Sequence, residues 1–221
     1  MHRKRIHIIT GHYGSGKSEI SVNMAMEFSQ KGHNTILADL DIVNPYFRSN
    51  EARNLLESRG ITVITTKYAN TNVDIPALTG ELSRYLKDKD KTLILDVGGD
   101  DAGAKVVGRY RSELPSDETC MYFVVNCFRP ETRTLESVYK IMEEIRTASG
   151  MKVDYLINNS HLMEKTKKQD IVKGRDFISD VSNELKIPIA FHAMIKNDII
   201  CGVGFQEPVF YINKYMGYFL K

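Results

Sequence analysis

Gly11-His12-Tyr13-Gly14-Ser15-Gly16-Lys17-Ser18 matches G-x-x-x-x-G-K-[ST] at every fixed position. Its flanks matter as much as the match. Residues 5–10 carry Ile6, Ile8 and Ile9, a short apolar run that reads as a buried strand, and residues 19–30 read as a helix. A glycine-rich turn between strand and helix aims several backbone N–H groups at one point, and the helix N-terminus adds the positive end of its dipole. The spacing predicts a phosphate-binding loop in which Gly11, His12, Tyr13, Gly14, Ser15, Gly16, Lys17, Ser18 and Glu19 surround the polyphosphate of a nucleoside triphosphate. Lys17 is expected to reach the β- and γ-phosphates, and the Ser18 hydroxyl to ligate Mg²⁺.

Outward from this loop, strand-like and helix-like segments alternate. Strands are expected at residues 5–10, 34–39, 62–66, 92–97, 119–126, 155–158 and 187–192. Runs such as Leu93-Ile94-Leu95 and Tyr122-Phe123-Val124-Val125 are apolar without alternation, as in strands covered on both faces of a mostly parallel sheet. Residues 131–149 carry Leu135, Val138, Tyr139, Met142 and Ile145 at helical spacing, with Pro130 before them and Gly150 just after. Further helices are expected over 76–85 and 169–185. The aromatic-rich residues 209–220 read as a terminal helix docked on the core. The expected architecture is one doubly wound α/β domain over 1–221, with helices on both faces of the sheet.

Parallel sheets deliver functional residues at the carboxyl ends of their strands. The second strand ends in Asp39-Leu40-Asp41. Asp41 is expected to orient the attacking water and to hold Mg²⁺, Asp39 to hold the loop or the second metal shell. The turn that follows, Asn44-Pro45-Tyr46-Phe47-Arg48, offers Arg48 as a surface arginine or a phosphate partner. The fourth strand ends in Leu93-Ile94-Leu95-Asp96-Val97-Gly98-Gly99, the Walker B pattern, with Asp96 as a further Mg²⁺ residue and the Gly99 N–H as a γ-phosphate sensor. The glycine-rich residues 98–104 read as a movable loop.

Composition narrows the partners. The 221 residues are 42% hydrophobic and 26% charged, and 30 basic against 28 acidic side chains leave a net charge of +2. That balance gives no strong field for nucleic acid or an anionic membrane. No apolar stretch approaches the roughly 20 residues needed to span a bilayer. Three scattered cysteines (Cys120, Cys127, Cys201) fit free thiols and a cytoplasmic location, with no C-x-x-C for a metal or cluster.

Taken together, these segments resemble the MinD/ParA/CobQ-type P-loop ATPases. Ser18-Glu19-Ile20-Ser21-Val22-Asn23 is similar to the family's continuation of the loop, with Asn23 in its Asn place. Asp39-Leu40-Asp41 resembles switch I and Asp96 to Gly99 resembles switch II. Val125-Asn126-Cys127-Phe128-Arg129-Pro130 resembles the loop after the fifth strand. The resemblance implies that Asn158 or, preferably, Asn159 reads the adenine edge, and that Met194, Ile195 and Lys196 pack on the base. His12 departs from the family: it stands where the signature lysine would reach across a dimer, and an imidazole is no constant charge. The C-terminal aromatics lack the basic face of a membrane-binding helix.

The expected function is therefore an Mg²⁺-dependent ATPase of low intrinsic activity, with no obvious arginine finger in cis, working as a switch on itself as a homodimer or on a client protein. ATP and ADP are the expected ligands. GTP is disfavoured because no [NT]-K-x-D follows a late strand. The alternatives are a biosynthetic enzyme of the cobyrinic acid a,c-diamide synthase type, a small-molecule kinase with Arg109-Tyr110-Arg111 in its lid, and a non-catalytic nucleotide-binding subunit.

Overall fold

The computed structural model of the chain describes residues 4–41, 50–65, 75–99, 101–195 and 202–215. In chain order these form β1 (Ile6–Thr10), α1 (Lys17–Gln30), β2 (Asn34–Asp39), α2 (Asn50–Glu57), β3 (Thr62–Thr65), α3 (Ile75–Lys87), β4 (Lys91–Asp96), α4 (Asp101–Arg109), β5 (Thr119–Val125), α5 (Leu135–Ser149), β6 (Tyr155–Asn158), α6 (Lys168–Leu185), β7 (Ile189–Ile195) and β8 (Val209–Ile212). The strands make one sheet in the order β3-β2-β4-β1-β5-β6-β7-β8. Every pairing is parallel.

Both faces of the sheet are covered, so the central strands are apolar without alternation. All five residues of β1 and all seven of β5 are buried. On one face Ile20, Met24 and Phe28 of α1 and Leu56 of α2 lie over Ile9, Leu37, Ile94, Tyr122 and Val124. On the other, Leu82 of α3, Val107 of α4, Val138 and Ile145 of α5 and Ile178 of α6 lie over Ile8, Leu93, Leu95, Phe123 and Val125. Local signals set the ends of α5. Thr134 accepts a hydrogen bond from the Ser137 N–H and Ser137 reciprocates, forming a capping box, while Gly150 closes the helix at φ 67°.

Three expectations about elements are corrected. Residues 209–212 are not helical: they form β8, paired with β7 from His192↔Val209 to Ile195↔Ile212. Phe210 packs on Phe191 with ring centroids 5.0 Å apart and Ile212 is buried, whereas the intervening Tyr211 is exposed, so the period is two. The rest of the expected terminal helix, from residue 216, lies outside the described residues. The glycine-rich stretch is shorter as a loop than expected, because α4 already begins at Asp101. Gly103 is the reason that helix can start so close: a Cβ there would strike the backbone of Gly98. Finally, β7 extends to Ile195, three residues beyond its expected end.

Candidate functional site at the central strand ends

β1 lies between β4 and β5, and the chain leaves it in opposite directions at that point, which is where open parallel sheets place their ligand crevice. The ladder register aligns the carboxylates. Ile9 pairs with Asp96 and Asp96 with Asp39, so both aspartates sit at the carboxyl edge, one strand apart, level with the last residues of β1. Their parity with Ile94 and Leu37 turns them to the α1 side of the sheet.

The residues 11–18 connect β1 to α1 as the spacing predicts. Gly16 caps α1 at φ 92°, a left-handed conformation that a side chain would strain, and a Cβ would also collide with the Asn159 amide. Ser15 N–H donates to the His12 carbonyl at 3.1 Å. Among the described residues no acceptor faces the N–H groups of Gly14, Gly16 and Ser18, which leaves an anion-binding concavity at the helix N-terminus. Lys17 is 6% exposed and its ammonium donates to the His12 carbonyl at 3.2 Å, curled over its own loop. Tyr13 is exposed. His12 Nδ1 lies 3.0 Å from the Tyr13 carbonyl oxygen and 3.9 Å from the Glu131 carboxylate.

Asp96 is the electrostatic centre. It is 1% exposed, and neither carboxylate oxygen accepts a hydrogen bond of ordinary geometry. Burial pushes its pKa up to about 6, against the downward pull of the Ser18 hydroxyl, the Lys17 ammonium and the Ser21 hydroxyl, with the Asp41 charge adding to the rise. A buried carboxylate with no hydrogen bond of ordinary geometry, beside a hydroxyl and a second carboxylate, is the kind of hard-oxygen set that fits Mg²⁺. Ser18, Asp41 and Asp96 are the residues that could hold it. Asp39 acts on the backbone instead. Its Oδ1 accepts the Asp41 N–H at 3.0 Å and shapes the turn that carries Asp41. Arg48 and Lys196 lie outside the described residues.

Gly99 meets the phosphate loop directly. A Cβ on it would overlap the Gly11 carbonyl oxygen and approach His12 C and Tyr13 N to 2.9 Å. Only a glycine lets these two backbones touch, so the loop after β4 packs directly on residues 11–13.

The residues expected at the base are arranged otherwise. Asn158 is fully buried, its Nδ2 donating to His192 Nδ1 at 2.9 Å and its Oδ1 accepting the Ser160 N–H. His192 Nε2 in turn faces Glu207 at 3.1 Å. Asn159 braces the phosphate loop: its Nδ2 donates to the Ser15 carbonyl at 2.7 Å, and its Oδ1 faces His161 Nε2 at 2.9 Å. Each amide thus has one Nδ2 donor and its Oδ1 engaged inside the protein. Met194 is fully buried with Ile171 and Val203, a core residue and not a base platform, and Ile195 is partly buried at the end of β7. The Glu19 carboxylate turns away from the loop to accept the Tyr215 N–H at 2.7 Å. Arg109-Tyr110-Arg111 ends α4 at the opposite edge of the sheet, with Tyr110 buried and Arg111 over Gly150, too remote to close on a phosphate.

Two contributors were not legible as site residues. His161 holds Asn159, and burial together with the nearby Arg129 charge pushes its pKa down to about 4. Arg129 itself donates from Nε to the Gly14 carbonyl at 2.8 Å. The available signal was position alone: both follow directly on strands that end at this edge.

No protein-family model and no curated protein matches the chain. Solved structures do. The cell division protein FtsY from Thermotoga maritima superposes with a TM-score of 0.58 at 21% identity, over 86% of this chain and 62% of that one. Chloroplast FtsY from Physcomitrella patens gives 0.54 at 18% identity, over 94% and 62%. The signal recognition particle receptor FtsY from Elizabethkingia anophelis, in complex with GDP, gives 0.54 at 15%, over 87% and 58%. The fold is that of a P-loop NTPase. This chain spans about three-fifths of the length of these FtsY structures, and at such identities the likeness is one of fold.

Proposed function

We propose that this chain binds ATP with Mg²⁺ at residues 11–18 and hydrolyses it slowly, as a nucleotide-dependent switch of the MinD/ParA type. The observation that carries this reading is the buried carboxylate of Asp96, whose oxygens accept no hydrogen bond of ordinary geometry, beside Ser18 and Lys17 at the mouth of an open N–H nest. On binding, Lys17 leaves the His12 carbonyl and pairs the β- and γ-phosphate oxygens. The backbone N–H groups of the loop take the remaining charge. Ser18 and Asp96 would hold Mg²⁺, which would supply positive charge against the phosphate oxygens. Asp41 orients the attacking water. Gly99 transmits the state of the loop to α4, because its backbone rests on Gly11 and Tyr13.

The remote position of Arg109-Tyr110-Arg111 removes the residues that favoured a kinase. A biosynthetic enzyme of the cobyrinic acid a,c-diamide synthase type would use the same ATP site with a second substrate.

Titration calorimetry with ATP and GTP, with and without Mg²⁺, tests the reading, alongside single-turnover hydrolysis and sedimentation. We expect ATP to bind with Mg²⁺, Lys17→Ala to abolish binding, and Asp41→Ala to bind but cleave about 10²-fold more slowly or worse. ATP-driven dimerisation would mark a switch that acts on itself. Absence of any triphosphate binding at millimolar concentration would overturn the proposal.

A further inference from the structure

The loop after β5 is held firmly. Asn126 accepts the Phe128 N–H through Oδ1 at 3.0 Å, and through its carbonyl the Arg129 N–H at 3.0 Å and the buried Thr132 hydroxyl at 2.7 Å. The Cys127 N–H donates to Ser160 Oγ at 3.0 Å, tying the loop to the end of β6. The loop does not merely pass near the phosphate site. Arg129 lies on the rim of that site, with Nε on the Gly14 carbonyl and the guanidinium carbon 3.5 Å from where a Cβ of Gly14 would stand.

Arg129 is exposed, and among the described residues its two Nη groups take no hydrogen bond and no carboxylate pairs its charge. One exposed hydrogen bond to a carbonyl contributes little net stability, and ordering an arginine side chain offsets it. The bond alone therefore gives little reason for the guanidinium to rest there. Its place on an anion-binding loop does. Lys17, the group suited to the β- and γ-phosphates, has its ammonium on the carbonyl of His12, two residues from Gly14. Lys17 and Arg129 thus flank the same short stretch of loop.

We propose that Arg129 is a phosphate-pairing residue supplied in cis, its Nη groups bonding oxygens of the terminal phosphate of a nucleoside triphosphate while Nε stays on Gly14. This rests on the reading that residues 11–18 cradle a polyphosphate. A planar guanidinium suits that role because it offers two parallel donors to one phosphate. Its charge is permanent, unlike that of His12, whose Nδ1 lies 3.9 Å from the Glu131 carboxylate.

The test is equilibrium binding of ATP and ADP with Mg²⁺, plus single-turnover ATP cleavage, for the wild type, Lys17→Ala, Arg129→Ala and Arg129→Lys. Arg129→Ala is expected to weaken ATP binding about tenfold, ADP binding less than about threefold, and to slow cleavage about 10²-fold or more. Arg129→Lys is expected to recover part of the ATP affinity and little of the cleavage rate. Equal losses for ATP and ADP would mean that Arg129 only braces the loop, and would overturn the inference. So would ATP binding and cleavage by Arg129→Ala within about twofold of the wild type. In either case, wild-type binding that Lys17→Ala abolishes would leave the phosphate-loop reading standing. A wild-type chain that binds neither nucleotide would take both down.

Discussion

His161 never touches the phosphate loop, yet it orders it at one remove. Its Nε2 faces Asn159 Oδ1, and Asn159 Nδ2 holds the Ser15 carbonyl. Its Nδ1 accepts the Met163 N–H at 3.3 Å, so only the neutral ring with a proton on Nε2 serves both neighbours. Burial keeps it neutral, with a pKa of about 4 in the folded chain. Between about pH 6.5 and 4 the unfolded chain takes up a proton that the folded chain refuses, so this contribution to stability is complete above 6.5 and is lost as pH falls. Relative to His161→Gln, the wild type should lose up to about 3 kcal/mol across that window, read from urea midpoints at stepped pH. Loss of equal size in both proteins would contradict it. The motif residues around this network were legible because each is tied to a fixed offset from a glycine or a strand end. The roles of Asn158 and Asn159 were not, since an amide at a strand end has the same spacing whether it faces a base or a backbone carbonyl.

Elements differ in how much of their geometry is local. Helix α5 carries its own start and stop, Thr134 with Ser137 and then Gly150, and both act where the sequence places them. Thr134→Ala should therefore lower stability by about 1 kcal/mol, seen as a fall in Tm, without changing nucleotide affinity. The loop after β4 behaves differently. Gly99 has an ordinary φ, so alanine is locally acceptable there, but a Cβ would enter the backbone of Gly11 to Tyr13. Gly99→Ala should weaken nucleotide binding by at least tenfold in calorimetry, an effect larger than the ordinary ~1 kcal/mol cost of a surface substitution. Unchanged affinity would show that the two loops move independently. Residues 209–212, expected to open a helix, form β8 for a related reason. Val209-Phe210-Tyr211-Ile212 is compatible with either period, and the unpaired edge of β7 makes the choice.

Across the whole molecule, the segment just after β8 is tied back to α1. Asn23 of α1 donates to the Asn213 carbonyl at 2.9 Å and accepts the Asn213 N–H at 2.7 Å, pairing with it as a neighbouring strand would. One turn earlier Glu19 takes the Tyr215 N–H. Asn213 and Tyr215 are thereby clasped to the helix whose first turn forms the nest. Asn23→Ala leaves both Asn213 groups without their partner and should cost about 2–4 kcal/mol in denaturant unfolding. A loss below about 0.5 kcal/mol would mean that water replaces the amide. Ligand should act on the entire domain too. At a hundredfold excess over Kd, ATP with Mg²⁺ should stabilise the wild type by about 3 kcal/mol and leave Lys17→Ala unmoved, measured as thermal shifts.

Short-range chemistry was enough to write down a parallel α/β sheet, the glycine-rich turn between β1 and α1, and aspartates at the ends of β2 and β4. Those features depend on residues a few positions apart, whose spacing is visible in the chain. The contact of Gly99 with Gly11 and the meeting of Arg129 with Gly14 join residues 88 and 115 positions apart, and strand order and the place of β8 turn on which edge is left to pair. Such meetings follow from how the whole sheet packs, and no local period or propensity encodes them.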